Sequence, residues 1–229
     1  MFISDKIVFI HIPRTAGTSF QKYLKTHYKS DNNAINWINI RSSHNEKSYQ
    51  IKTDNKQLRT FIDMDREHYT YSELYKYYKD IQNRYKFSIV RNPWDRHVSL
   101  FEYFNNNLIF VFDKKFRFKD FNQYIDWLVS YESSNTYKDI FLKHFTRNQL
   151  DYLIDYKGNI KVDKIFRFEK IKEEFKYFKD NFTLSGELPN INNSNRKHYR
   201  KYYTNRSKDI IEQLHKKDIE IFGYSYDNG

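Results

Sequence analysis

The sequence predicts an α/β fold: a single domain spanning residues 1–229, with a central parallel sheet flanked by helices. Three observations predict it. Ile7 to Ile10 is apolar without alternation, the pattern of a parallel strand covered on both faces, and Phe20, Tyr23 and Leu24 follow at helical spacing. Lys86 to Val90 reads as a second short buried strand that leads directly into a helix. Strands and helices alternate around the two polar junctions that follow these strands, which implies helices on both sides of a parallel sheet.

The first junction, His11-Ile-Pro-Arg-Thr-Ala-Gly-Thr-Ser19, has the layout of a phosphate cradle. Gly17 is expected to let the backbone turn and come close to a ligand. The amides around Thr18 and Ser19, at the positive end of the helix dipole, favour an anion. Nucleoside triphosphatases need a first glycine, four residues, then Gly-Lys-Ser/Thr. This loop has neither the first glycine nor Gly-Lys, and Arg14 stands ahead of Gly17 instead. Its cation therefore approaches from the other side of a shorter loop. Taken alone, the segment reads equally well as an ordinary strand-to-helix turn.

The second junction, Arg91-Asn-Pro-Trp-Asp-Arg-His-Val-Ser99, shifts that balance. Asn92 is a good N-cap and Pro93 a good first helical residue, so a helix starts directly after Arg91. Trp94, Val98 and Phe101 form its buried stripe, while Arg96, Ser99 and Tyr103 share a different face. The planar fork of Arg91 at the strand end and the Ser99 hydroxyl two turns on are placed to hold a second phosphate.

Between and beyond the junctions the signals are local. The asparagine- and lysine-rich stretch 29–60 reads as irregular, and Leu58 to Met64 as a strand. Thr70-Tyr-Ser-Glu73 is a capping box that starts a helix over about 71–82. Further helices are expected near 93–105, 120–131, 169–182 and 205–221, the last stopped by Gly223 as a C-cap glycine. Tyr152 to Phe168 reads as two strands turning at Lys157-Gly158-Asn159. No repeat or low-complexity linker marks a second domain.

Composition narrows the function class. Without cysteine there is neither a disulfide frame nor a thiolate metal site. Histidine pairs with ligand spacing and carboxylate clusters are also lacking in the sequence, so no metal is expected. The apolar runs are far shorter than a membrane span, and Met1 to Lys6 is too short and polar for a secretory signal; a cytoplasmic protein is expected. The 40 basic and 29 acidic side chains leave a net charge of +11, which attracts anions. That charge, with 21 tyrosines and 20 phenylalanines, also suits nucleic acid. The aromatics fall at core spacing instead, as in Ile171, Phe175, Phe178 and Phe182, so no nucleic-acid partner is expected.

At this point the chain resembles a known family. His11 to Ser19 is similar to the 5′-phosphosulfate loop, and Val90 to Ser99 to the 3′-phosphate segment, of sulfotransferases that use 3′-phosphoadenosine 5′-phosphosulfate (PAPS). The branch it resembles most contains the heparan- and chondroitin-type carbohydrate O-sulfotransferases and small bacterial relatives. Gln149 to Leu153, Gly158 to Asp163, Phe166-Arg-Phe-Glu169 and the ending from Asn192 to Tyr224 recur in the same order, leaving 31–65 and 105–145 as the least family-like parts.

The resemblance implies a P-loop-like phosphosulfate loop at Arg14, Thr15, Ala16, Gly17, Thr18 and Ser19, with PAPS as sulfuryl donor and no metal. It implies a 3′-phosphate site at Arg91 and Ser99, and a loop over the nucleotide carrying Ser194, Arg196 and Lys197. The acceptor would be a hydroxyl of a saccharide. His68, just ahead of the Thr70 cap, matches the histidine that serves as base, and the helix N-terminus beside it favours the neutral ring while Glu67 opposes this. A surface histidine is the plainer reading of the same residue. His44 is the alternative base, His11 reads as orienting the loop, and His97 and His144 as acceptor contacts. Arg14 departs from the lysine usual in this branch and is expected to stabilise the leaving phosphate. Two other classes stay open on sequence grounds: a P-loop-type kinase using ATP and a basic nucleic-acid-binding module.

Overall fold

The computed structural model describes residues 1–28, 68–106, 110–111, 114–115, 117–132, 143–189 and 196–228. Its main sheet has four strands: β1 (Phe2–Ile3), β2 (Ile7–Ile10), β3 (Tyr85–Val90) and, later in the chain, β6 (Lys164–Arg167), in the order β1-β2-β3-β6. A separate two-stranded ribbon is formed by β4 (Phe110–Val111) and β5 (Lys114–Lys115). Strands β2, β3 and β6 are parallel, as expected. The sheet as a whole is mixed, because β1 pairs antiparallel with β2; the Ser4 hydroxyl accepts from Lys6 N and Ile7 N and closes this tight return.

Alternation along the strands divides the core. Ile7, Phe9, Phe87, Ile89 and Phe166 point to one face, where they meet Phe20 and Leu24 of α1 (Gly17–His27) and Phe175 and Phe178 of α5 (Ile171–Phe182). Val8, Ile10 and Val90 point to the other face, against Leu74 of α2 (Tyr71–Tyr77), Ile81 and Tyr152. A third cluster joins α3 (Pro93–Asn106), α4 (Phe121–Glu132) and α6 (Asn205–Leu214) around Trp94, Val98, Phe101, Tyr124 and Ile211. The aromatics named for core spacing are thus packed on one another: Phe20 meets Phe175 edge-on at 5.5 Å, and Phe87 meets Phe178 at 4.9 Å.

Several caps follow the sequence closely. Asn92 Oδ1 accepts from Trp94 N at 3.0 Å, Thr70 and Glu73 complete both halves of the capping box, and Gly223 ends α7 (Lys216–Phe222) at φ 63°. Other boundaries differ. The helix expected over 71–82 ends at Tyr77, and a 3₁₀ turn, Lys79–Asn83, follows. Only β6 of the two strands expected over 152–168 joins the sheet. Asp155 captures the N–H groups of Lys157 and Asn159 at 2.9 Å each, so the first half becomes a turn with a single Ile154–Ile160 bridge. The strand expected over 58–64 and the stretch 29–60 beyond Tyr28 lie outside the described residues.

The helix expected over 205–221 is broken at His215 into α6 and α7, and the residue at the break points into the interior. His215 Nε2 meets His97 Nε2 at 2.6 Å, and His97 Nδ1 meets the Tyr124 hydroxyl at 2.6 Å. His97 is therefore a buried structural residue rather than an acceptor contact, and burial, with His215 and Arg96 nearby, drives its pKa well below the usual histidine value. One turn on, fully buried Asp218 accepts from Gln149 N at 2.7 Å and Leu150 N at 2.9 Å, with His215 Nδ1 at 3.7 Å. Gln149 in turn binds the backbone of Arg91 on both sides, accepting from its N–H and donating to its C=O at 2.8 Å each.

Burial pushes the Asp218 carboxyl up, but His215 and the two backbone N–H groups outweigh it and hold the pKa below the usual carboxylate value. A depressed folded pKa gives stability that is present above the unfolded value, near pH 4, and lost as pH falls through the folded one. Asp218→Asn should therefore cost about 2–3 kcal/mol at pH 7. In thermal melts, its deficit against the parent should shrink below about pH 4.

Candidate active site

Register decides where the two polar junctions meet. Ile10 pairs with Ser88 and Val90 with Arg167, so β2, β3 and β6 end at the same edge of the sheet. The segments that leave this edge are His11 to Ala16, Arg91–Asn92 and the 3₁₀ turn Phe168–Lys170. A crevice beyond the carboxyl ends of parallel strands is the usual ligand position in such sheets. Here a cavity of about 1130 Å³ opens there.

The loop before α1 reverses through Arg14 and Ala16, which both adopt left-handed backbone conformations (φ 67° and 69°). Each is strained by about 1–2 kcal/mol for a residue with a side chain. Such strain persists only where the surroundings enforce it. Arg96, almost wholly buried on α3, donates to Pro13 O at 3.1 Å and also to Arg147 O and Phe145 O at 3.0 and 2.8 Å. Arg91 Nη1 donates to Arg14 O at 3.0 Å, and the Thr15 hydroxyl to Ile12 O at 2.9 Å.

Gly17 is required for a different reason from the one expected. It does not make the turn; a Cβ on it would lie 1.8 Å from Cδ2 of His11. His11 is packed at 5.8 Å along Phe9 and cannot simply move aside. Burial drives its pKa well below the usual histidine value, so the ring is neutral.

Arg14, Arg91 and Arg196 gather in one place. Arg14 Nε donates to Ser99 Oγ at 3.2 Å, and its guanidinium carbon stands 4.5 Å from the centroid of Tyr103. Arg91 donates from Nε and Nη2 to Asp95 Oδ2, and its guanidinium stacks 3.8 Å from the Phe168 ring. Three of its nitrogens thus already have partners in the protein, leaving two of five N–H bonds for a ligand. Arg196 Nη2 donates to the other oxygen of Asp95 at 2.5 Å. One carboxylate is shared between two guanidinium groups. Burial pushes Asp95 up, but Arg91 and Arg196 hold its pKa below the usual value. Burial, then the Arg91 cation, brings the Arg14 pKa down to about 10.

The structure brings Arg14, Ala16, Gly17, Thr18, Ser19, Arg91, Ser99, Arg196 and Lys197 to the wall of this cavity. Thr15 is turned inward and buried, so its hydroxyl braces the loop and does not face the cavity. Ser194 and His44 lie outside the described residues. His68 is buried behind His11, its ring 4.5 Å from the His11 ring and 5.9 Å from Phe145. Its Nδ1 lies 2.9 Å from the His11 carbonyl, which can only accept, so Nδ1 carries a hydrogen and Nε2 is the nitrogen through which the ring could take a further proton. His144 is buried, and its carbonyl accepts from the Tyr152 hydroxyl.

Several contributors had no role assigned from the sequence. Asp95 and Arg96 were read as helix positions only. Glu169 accepts from Asn92 N at 2.6 Å and from the Tyr224 hydroxyl, tying β6 to the start of α3. The far wall carries Phe168, Ile171 and Phe175 with Lys172, Lys176 and Lys179, although the spacing of Ile171 and Phe175 points to the core alone. Among the described residues, no group of three His, Asp or Glu side chains is arranged to hold a metal ion, and no helix is long and apolar enough to cross a membrane.

The model of the sulfotransferase family matches residues 1–225. The chain belongs to the sulfotransferase family, as the two phosphate segments implied. Among solved structures it is similar to mouse sulfotransferase SULT7A1 complexed with PAP, at 12% identity and a TM-score of 0.49, over 95% of this chain and 86% of that one. No curated protein matches the chain.

The Gly17 contact yields a test. Gly17→Ala should lower stability by about 1–3 kcal/mol, the usual cost of overpacking. In a His11→Ala background, where the obstructing ring is gone, thermal melts should show a clearly smaller loss.

Proposed function

We propose that this protein transfers a sulfuryl group from PAPS to an acceptor hydroxyl, and that the acceptor is a saccharide. One observation carries the donor half. A single cavity collects the amide end of α1 and the guanidinium groups of Arg14, Arg91 and Arg196, with Asp95 as the carboxylate between two of them. Its charge is incomplete without an anion, and its two cationic junctions suit a ligand with two phosphates. The apolar wall of Phe168, Ile171 and Phe175 suits the adenine between them. The saccharide acceptor rests on the resemblance to carbohydrate sulfotransferases and on the net charge of +11, which would favour an acidic sugar chain.

PAPS supplies an activated sulfuryl group whose departure leaves negative charge on the 5′-phosphate. In this reading Arg14 faces that charge from its contacts with Ser99 and Tyr103, and it acts as a fixed cation rather than a proton donor. The helix amides at Gly17 to Ser19 hold the 5′-phosphate. Arg91 uses its two remaining N–H bonds, and Ser99 its hydroxyl proton, on the 3′-phosphate. Arg196 and Lys197 close over the nucleotide. His68, with Nδ1 held by the His11 carbonyl, takes the acceptor proton at Nε2.

Adenosine 3′,5′-bisphosphate should raise the melting temperature without a divalent ion, and ATP should do much less. The absence of any shift at saturating bisphosphate would count against the donor site. In transfer assays with labelled PAPS and a panel of sugars, phenols and lipids, Arg14→Lys should retain substantial activity. Arg14→Ala should lose far more rate than donor affinity. His68→Ala should slow transfer by on the order of 10²–10⁴ with nucleotide binding intact; parental rates in that variant would move the base elsewhere.

A further inference from the structure

The geometry points to Tyr103 as a positioning residue for transfer: its ring is the shelf that fixes the plane of the Arg14 guanidinium. This rests on the reading of Arg14 as the cation facing the leaving phosphate. An arginine side chain has several rotatable bonds, and a planar fork is useful only when its plane and its edge are both set. In this site the two settings come from one helix, one turn apart. Ser99 accepts from Nε and fixes the edge of the fork, while Tyr103 lies 4.5 Å below the guanidinium carbon and fixes the plane. The two Nη groups are then left to face the cavity that Arg14 lines.

The shelf is itself braced. Tyr103 is near parallel to Phe145, with centroids 6.2 Å apart, and Phe145 packs at 5.9 Å from His68. Phe145 is buried, and its carbonyl is one of the three bound by Arg96, so the residue that braces Tyr103 and the loop that carries Arg14 are tied to the same guanidinium. The aromatic pair therefore also spans from the cation facing the donor to the histidine proposed as base. A lysine in this loop would need less of this arrangement, because an ammonium has no plane to set.

The test is a set of single-turnover and steady-state rates with PAPS for Tyr103→Phe, Tyr103→Leu and Tyr103→Met, each alone and combined with Arg14→Ala. Tyr103→Phe keeps the ring and should stay within about threefold of the parent. Leu and Met remove it and should lower kcat about tenfold, with the KM for PAPS and bisphosphate binding within about twofold, as expected for a lost cation–π contact of ordinary strength. Met keeps most of the volume and guards against a packing failure in the Leu variant. In the Arg14→Ala background, neither should slow transfer further. If the Leu and Met variants match the parent while Arg14→Ala is slow, Tyr103 does not position Arg14 and this inference falls alone. It falls in the same way if the two losses multiply in the double variants. If Arg14→Ala matches the parent, the underlying role of Arg14 falls with it.

Discussion

A buried guanidinium on α3 holds the site together. Arg96 is sealed from solvent and gives its N–H groups to three carbonyls from two segments: Pro13 in the first loop, and Phe145 and Arg147 in the segment before Gln149. A buried charge is tolerated only when its donors are met, so the segments must converge on it. That convergence fixes the chain just ahead of the left-handed residues Arg14 and Ala16, which otherwise resist their conformation. Gln149 and Asp218 then perform the equivalent task for the backbone of Arg91. The supports of both junctions lie behind the residues that face the cavity.

In front of these supports the charge is unbalanced. Arg91 and Arg196 share Asp95, while Arg14 has no carboxylate of its own among these contacts. Burial, then the Arg91 cation, lowers the Arg14 pKa, and an incoming anion would relieve the repulsion. The cation cluster is therefore set by the protein's own contacts, so the proposed donor would require little reorganisation of it. The same preformed character appears in the Asp95 clamp, which orients two guanidinium groups with the two oxygens of one carboxylate.

The sequence made the local parts legible and left the tertiary parts open. Strand β2, the Asn92 and Thr70 caps and the Gly223 stop all depend on neighbours within a few residues, and they appear where periodicity and capping chemistry put them. The helix break falls at His215, whose ring meets His97 more than a hundred residues away, and no local signal announces it. Gly17 was correctly marked as special for the wrong reason, because the obstruction comes from His11 across the loop rather than from its own φ. The spacing of α3 puts Arg96 on a face with Ser99 and Tyr103 and says nothing of Asp95; only the folded chain shows that Arg96 is buried and that Asp95 is shared. The family, by contrast, is legible from the two phosphate segments, and its model spans residues 1–225.

The row of side chains Tyr124, His97 and His215 has a directional property that follows from counting hydrogens. His97 is held neutral by burial, so its ring carries one N–H for two close contacts. If Nε2 holds that hydrogen, His97 donates to His215 and the tyrosine hydroxyl must donate to Nδ1. If Nδ1 holds it, His215 donates to Nε2 and His97 donates back to the tyrosine oxygen. Both contacts therefore run the same way along the row. The hydrogen placed between the two imidazoles thus sets the polarity of the phenol, some ninety residues from His215 in sequence, with no change in the position of any heavy atom.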